Sequence, residues 1–211
     1  GELDNLADFN LQDKRQGSYF IAVEHPVPVL PNIKVASTTL DTSGNTTLTF
    51  DFSFGGQDFT DTQAVDAVFN VSYVDYTLYY EIFDNDLLTL DLGLTARDID
   101  GDVQVELVSD PSLYNGQEDF SAIIPMLYVS AIVGLPFTGL NIFAEGNAIS
   151  YDDHSIYDYQ AGISYEVLDN IAVDLNVTLG YRAVQLDIED IDDFYADLDF
   201  KGVFVGAIVH F

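Results

Sequence analysis

The sequence contains no cysteine and no tryptophan, one methionine, and only six basic residues in 211. Without cysteine there is no disulfide framework and no thiolate metal site. Six Lys and Arg stand against 36 Asp and Glu, a formal net charge of −30. A surface that tracks a phosphate backbone needs clustered bases, so nucleic acid is excluded as a partner. No apolar run reaches the roughly 18 residues of a membrane-spanning helix. The longest, 122–137, is interrupted by Pro125 and Gly134 and reads as a strand with both faces buried. In a water-soluble chain, such an excess of one sign accompanies disorder or salt adaptation. Disorder does not fit 13 Tyr, 15 Phe and a hydrophobic share of 48%.

What the chain does have is alternation. In 171–182 the odd positions Val173, Leu175, Val177 and Leu179 are apolar, while Asp174, Asn176, Thr178 and Arg182 fall between them. Segments 88–97 and 157–167 repeat the pattern. Side chains of a strand point to opposite faces with period two, so each segment has one greasy face and one polar face. The last ten residues (GVFVGAIVHF) behave alike, with Val203, Val205, Ala207 and Val209 on one face ahead of the terminal Phe211. Strands are expected at 17–25, 32–40, 68–82, 87–97, 120–134, 140–151, 156–167, 171–185 and 195–211. Their connections alternate: short turns at 25–32, 83–86, 134–139 and 168–170, and longer acidic loops at 41–66, 98–119, 152–155 and 187–194. Short turns at one end and long loops at the other are the pattern of an up-and-down transmembrane β-barrel. The whole chain, 1–211, reads as one such domain.

Nine strands are awkward, because single-chain bacterial barrels have an even number. Either 3–11 forms a poor first strand or the true one lies upstream of Gly1; the second is the expectation, giving ten strands in the complete protein.

Several stretches carry a resemblance: VEHPVPVLPN (23–32), LYYEIFDN (78–85), PMLY (125–128), SYDDH (150–154), YDYQAG (157–162) and YADLDFKG (195–202). Together with the C-terminal aromatic, they resemble a family of small Gram-negative outer-membrane barrels of unassigned function. The resemblance implies an outer-membrane location with periplasmic termini, contact with lipid and lipopolysaccharide, and assembly machinery that reads the strand Val203, Val205, Ala207, Val209 and Phe211. It brings no catalytic residues.

If the apolar faces meet lipid, the lumen is lined by Glu24, Asp75, Glu81, Asp91 and Arg97 from the first half of the chain. Glu145, Asp158, Glu166, Asp174 and Arg182 come from the second. Buried carboxylates need water, bases or protons, so the interior is either a narrow cation-preferring pore or a plugged interior braced by Arg–carboxylate contacts. Ten-stranded barrels are largely filled by side chains, which favours the plug. No cofactor is called for. Asp98, Asp100 and Asp102 form a weak calcium-loop-like motif lacking the distal Glu. Such acidic loops would hold divalent cations only as bridges to lipopolysaccharide, and a solvated acidic surface is the simpler account. The alternative function is a hydrolase. The order and Asp-x-His spacing of Asp98, Asp100, Asp152 and His154 are similar to the rim residues of omptin proteases, in which a His polarised by Asp activates water. With 36 acids in the chain, such a match arises readily by chance. Eight tyrosines (Tyr73, Tyr76, Tyr80, Tyr157, Tyr159, Tyr165, Tyr181 and Tyr195) read as interfacial or lipid-facing rings.

Overall fold

The computed structural model describes residues 10–27, 29–85, 87–112, 115–151, 154–170, 173–191 and 194–211. Nine strands form one antiparallel sheet that curls into a half-barrel. They are β1 (Gly17–Val23), β2 (Asn32–Thr47), β5 (Ala64–Asp84), β6 (Leu88–Leu107) and β7 (Asn115–Leu135), then β8 (Leu140–Tyr151), β9 (His154–Leu168), β10 (Asp174–Ile191) and β11 (Phe194–His210). Between β2 and β5 lies a small hairpin of its own, β3 (Phe52–Phe54) and β4 (Gln57–Phe59). No helix of the described residues is long and apolar enough to cross a membrane.

Each strand pairs with its neighbour in sequence, so the order is a meander with β1 and β11 at the two edges. The curl is fixed by contacts across the concave face. Arg182 on β10 reaches Thr38 on β2, six places away in the sheet, at 3.3 Å.

Six of the expected strands are longer than the sequence suggested, β2, β5, β6 and β7 by six residues or more and β9 and β10 by three, with β10 running into the expected loop 187–194. The segments read as the long loops 41–66 and 98–119 are largely strand, since β2 runs to Thr47, β6 to Leu107, and β5 and β7 begin at Ala64 and Asn115. The alternation does not stop at Arg97; it changes phase. Below it, outward Leu90, Leu92 and Leu94 are exposed while Asp91, Thr95 and Arg97 are buried. Above it, Asp98 and Asp100 are exposed and Ile99, Val103, Val105 and Leu107 are buried. The same exchange runs along β5, where concave Tyr73 and Asp75 give way to Val71, Ala67 and Val65, and along β10, where Arg182 gives way to Val184 and Leu186.

The strands therefore carry two tiers. The tier near the short turns is polar inside and apolar outside. The tier near the long loops is apolar inside and polar or acidic outside. The hydrophobic core lies mainly in this second tier, where it includes Leu40, Leu48, Val65, Ile99, Phe120 and Leu198, and reaches down to Tyr73 and Met126 at the border of the polar tier. The β3–β4 hairpin closes over it, with Phe54 and Phe59 buried. Its two-residue turn uses Gly55 and Gly56, both at positive φ (55° and 73°), which is the geometry that matches the twist of a tight hairpin. A side chain on Gly55 would sit 2.2 Å from the Gln117 amide nitrogen, so the hairpin tip seats against the start of β7 only because it is bare backbone.

The run 122–137 needs correction. Its outer residues Ile123 and Leu127 are 74% and 50% exposed, whereas Met126 and Tyr128 are buried. One face is buried, not both; the run is apolar throughout because its inward positions carry Ile124, Met126 and Tyr128 as well. The short turns lie where expected. Asn85 Oδ1 accepts from the Leu87 and Leu88 amides, and Asn170 Oδ1 from Val173, so two hairpins end in the same Asn-capped turn.

Candidate functional site

The concave face of the polar tier holds the concentrated chemistry. At its upper limit five strands contribute to one charge cluster. Arg97 on β6 is fully buried and grips Asp75 on β5 with both ends of its fork, Nε to Oδ1 and Nη2 to Oδ2, each at 2.7 Å. The same Nη2 donates to Asp158 on β9 at 2.6 Å. Arg182 on β10 approaches Asp158 from the other side, at 2.9 and 2.8 Å. The Tyr73 ring lies 3.8 Å from the Arg97 guanidinium carbon, and its hydroxyl donates to Asp158 at 2.9 Å. Two guanidinium groups and two carboxylates thus compensate one another where water is scarce, which is the condition for tolerating buried charge. Arg97 Nη1 is left without a hydrogen-bond partner.

A turn of the wall below, Lys34 on β2 donates to both oxygens of Glu145 on β8 at 2.6 Å, across the lumen. The rings of Phe20 and Tyr128 stand 4.8 and 5.5 Å from the same ammonium. Thr77 donates to Thr95 at 2.8 Å and Thr95 to Asn147 at 2.6 Å, which extends the brace through β5, β6 and β8. Tyr79 and Tyr128 lean together over Gly93, which pairs with both; their ring centroids are 5.7 Å apart. A Cβ on Gly93 would fall 2.4 Å from the Leu78 carbonyl oxygen.

Towards the short turns, charge is no longer balanced. Glu24 accepts from the Tyr79 hydroxyl at 2.8 Å. Asp91 lies opposite Glu81 and Ser130, is 8% exposed, and has an Oδ1 with no partner. Glu166 and Asp174 sit on the same face near the rim. The interior thus grades from neutral at the arginines to acidic at the short-turn end.

Of the ten residues read from the sequence as lumen-lining, six (Asp75, Arg97, Glu145, Asp158, Arg182 and Glu24) enter the hydrogen-bonded braces and Asp91 is buried; Glu81 and Glu166 are exposed near the short turns, where Asp174 accepts from the Asn170 amide. The candidate cation motif lies elsewhere. Asp98, Asp100 and Asp102 are alternate residues of β6 on its convex face, in extended strand and not in a loop. Among the described residues no group of three or more acids or histidines is placed to hold a metal ion. The rim pairing is only partly visible: Asp152 and the His154 side chain lie outside the described residues, as does the Tyr195 side chain. Val203, Val205, Ala207 and Val209 face outward on edge strand β11.

Tyr73 is a correction. It is not interfacial but 2% exposed inside the charge cluster, since it shares strand parity with Asp75 and Tyr79. Lys34, Thr38 and Tyr128 also belong to the site without having been singled out. The signal was available, as Lys34 alternates with outward Ile33 and Val35. No family model, curated protein or solved structure matches the chain.

Proposed function

We propose that this protein is an integral β-barrel of a Gram-negative outer membrane, completed by a tenth strand, with a plugged lumen and a structural or surface-interaction role. The observation that carries the reading is the reciprocal change of polarity along the strands. On β6 the exposed outer residues Leu88 to Ala96 span five alternate positions. Nine residues at about 3.3 Å each, on strands tilted by about 40°, give a height of roughly 23 Å, close to the apolar band of about 25 Å of an outer-membrane barrel. Adjacent strands change polarity at neighbouring registers: Val74 to Ser72 on β5, Ala96 to Asp98 on β6, Ile123 to Ser121 on β7. Tyr76, Tyr157, Tyr159 and Tyr181 face outward near this line, as interfacial rings do.

Closure follows from direction. Nine consecutively antiparallel strands leave β1 and β11 running the same way, so joining them directly would require a parallel pair. One strand antiparallel to both restores the even, all-antiparallel count. The outward residues of β11, with Phe211, then form the segment offered to the assembly machinery, and the short-turn end, with the C-terminus and the start of the added tenth strand, faces the periplasm.

Plugging is supported by three layers in series: the Arg97–Asp75–Asp158–Arg182 cluster, the apolar core above it, and the β3–β4 hairpin on top. In planar bilayers the protein is expected to give no conductance steps over long recordings. Reproducible cation-selective steps would overturn the plug, and failure of the purified protein to float with vesicles would overturn the membrane reading itself.

A further inference from the structure

At the short-turn end of the lumen, carboxylates from three strands and a turn meet a single ammonium. Glu81 on β5, Asp91 on β6, Ser130 on β7 and Glu145 on β8 pair in succession, so they form one row across the concave face. Like charges directly opposite one another, as Glu81 and Asp91 are, destabilise a sheet. Glu24, the residue after β1, joins them through the Tyr79 hydroxyl. The charges of Glu81, Glu24 and Glu145 all bear on Asp91. Lys34 gives its ammonium to both oxygens of Glu145, and Arg97 and Arg182 are bound to Asp75 and Asp158.

Asp91 is what remains. It is 8% exposed, yet its Oδ1 has no hydrogen-bond partner among the described residues. A buried carboxylate oxygen without a donor is costly, so it calls for one from outside the chain. The row opens to the exterior at this end, where Glu24 and Glu81 are exposed. The next row carries Tyr79, Gly93 and Tyr128, with the two rings 5.7 Å apart.

Lys34 shows what kind of donor this lumen accepts. Its alkylammonium is seated between a carboxylate and the rings of Phe20 and Tyr128, 4.8 and 5.5 Å away. Asp91, Glu81 and Glu24 beside Tyr79 and Tyr128 offer the same chemistry one step along the wall. A divalent metal needs several oxygens converging at about 2.0–2.6 Å, and no three acids among the described residues are so placed. An ammonium can send its N–H groups to separate carboxylates while a ring face attracts its charge.

We propose that the short-turn mouth of the lumen binds a linear alkyl diamine, one ammonium seated among Asp91, Glu81 and Glu24 against the tyrosine rings. The inference rests on the plugged-barrel reading above and gives the closed lumen a ligand at its open end.

The probe is 1,5-diaminopentane, titrated calorimetrically into the full chain in neutral detergent at about 150 mM salt, which screens the acidic outer surface. The wild type is expected to bind it, and not to bind 1,5-pentanediol, which has the same length and no charge. Asp91→Asn is expected to weaken binding at least tenfold. Glu81→Gln, at an exposed position where folding is not at stake, is expected to weaken it at least threefold. Asp174→Asn removes the same charge at the same end and is expected to leave affinity within roughly twofold. Equal weakening in Asp91→Asn and Asp174→Asn overturns the proposal, because it assigns the diamine to general attraction by an acidic chain. Displacement by calcium at equal concentration overturns it in favour of a metal. A wild type that binds no diamine overturns it as well; an infrared band of a protonated carboxyl, lost in Asp91→Asn, would then identify a proton as the donor. Bilayer recordings on the same preparation separate the site from the reading it rests on. A silent protein that binds no diamine loses the site and keeps the plug, whereas conductance steps with the diamine still bound through Asp91 remove the plug and keep the site. Unchanged strand content by circular dichroism keeps misfolding of the variants out of the result.

Discussion

Arg97 stands where the polar lumen ends and the apolar core begins, and its surroundings fix what its loss does. Arg97→Met removes the bidentate partner of Asp75 and one of the two cations on Asp158, leaving a carboxylate buried without its counterion. Breaking such a pair on one side costs about 3–5 kcal/mol. The expected outcome is a lowered denaturant midpoint with unchanged slope, and adding Asp75→Leu should recover part of the loss, since an apolar pair of similar size is close to neutral. An effect below about 1 kcal/mol would mean that water reaches the cluster. At this scale strand parity was readable and side-chain type misled. Parity alone places Tyr73 beside Asp75 and Tyr79, but tyrosine is so common at membrane interfaces that its kind suggested the outer surface. The pairing of Arg97 with Asp158, 61 positions along the chain, could not be read at all, because it depends on how tightly the sheet curls.

Among the elements, the β3–β4 hairpin is the one the sequence hid. Residues 41–66 look like an acidic loop rich in Gly, Ser and Thr, yet alternate residues of the hairpin and its flanks pack inward. Phe59, 1% exposed, is its anchor. Phe59→Ala is expected to destabilise by about 3–5 kcal/mol if the site cannot collapse, and to raise amide exchange in 48–63 well before exchange rises in the polar tier. Uniform exchange across both tiers would contradict their separation. The strand extensions were missed for a related reason. An alternation test looks for one constant phase, and here the apolar set shifts from even positions (Leu90, Leu92, Leu94) to odd ones (Ile99, Val103, Val105) within a single strand. The short-turn halves of the nine strands, and the turns themselves, were legible because nothing changes phase there.

For the whole molecule, the outer apolar band separates a membrane protein from a water-soluble one. Leu92 is 46% exposed; in water Leu92→Arg would be close to neutral, as surface changes generally are. At the midplane of a bilayer the same change costs about 2–4 kcal/mol. Unfolding from vesicles is therefore expected to show a penalty of that size for Leu92→Arg and almost none for Gln104→Arg, which lies on the acidic tier of the same strand. Equal, negligible effects would sink the membrane assignment. The change of phase at Arg97 has one more consequence. A strand with a single alternation can slide along its axis and meet the same solvent after every two residues, but one whose inside and outside exchange character partway cannot. On the membrane reading proposed above, moving β6 two residues deeper would bring Asp98 into hydrocarbon and raising it by two would lift Ala96 into water, so the lettering of the strands would serve as a depth gauge.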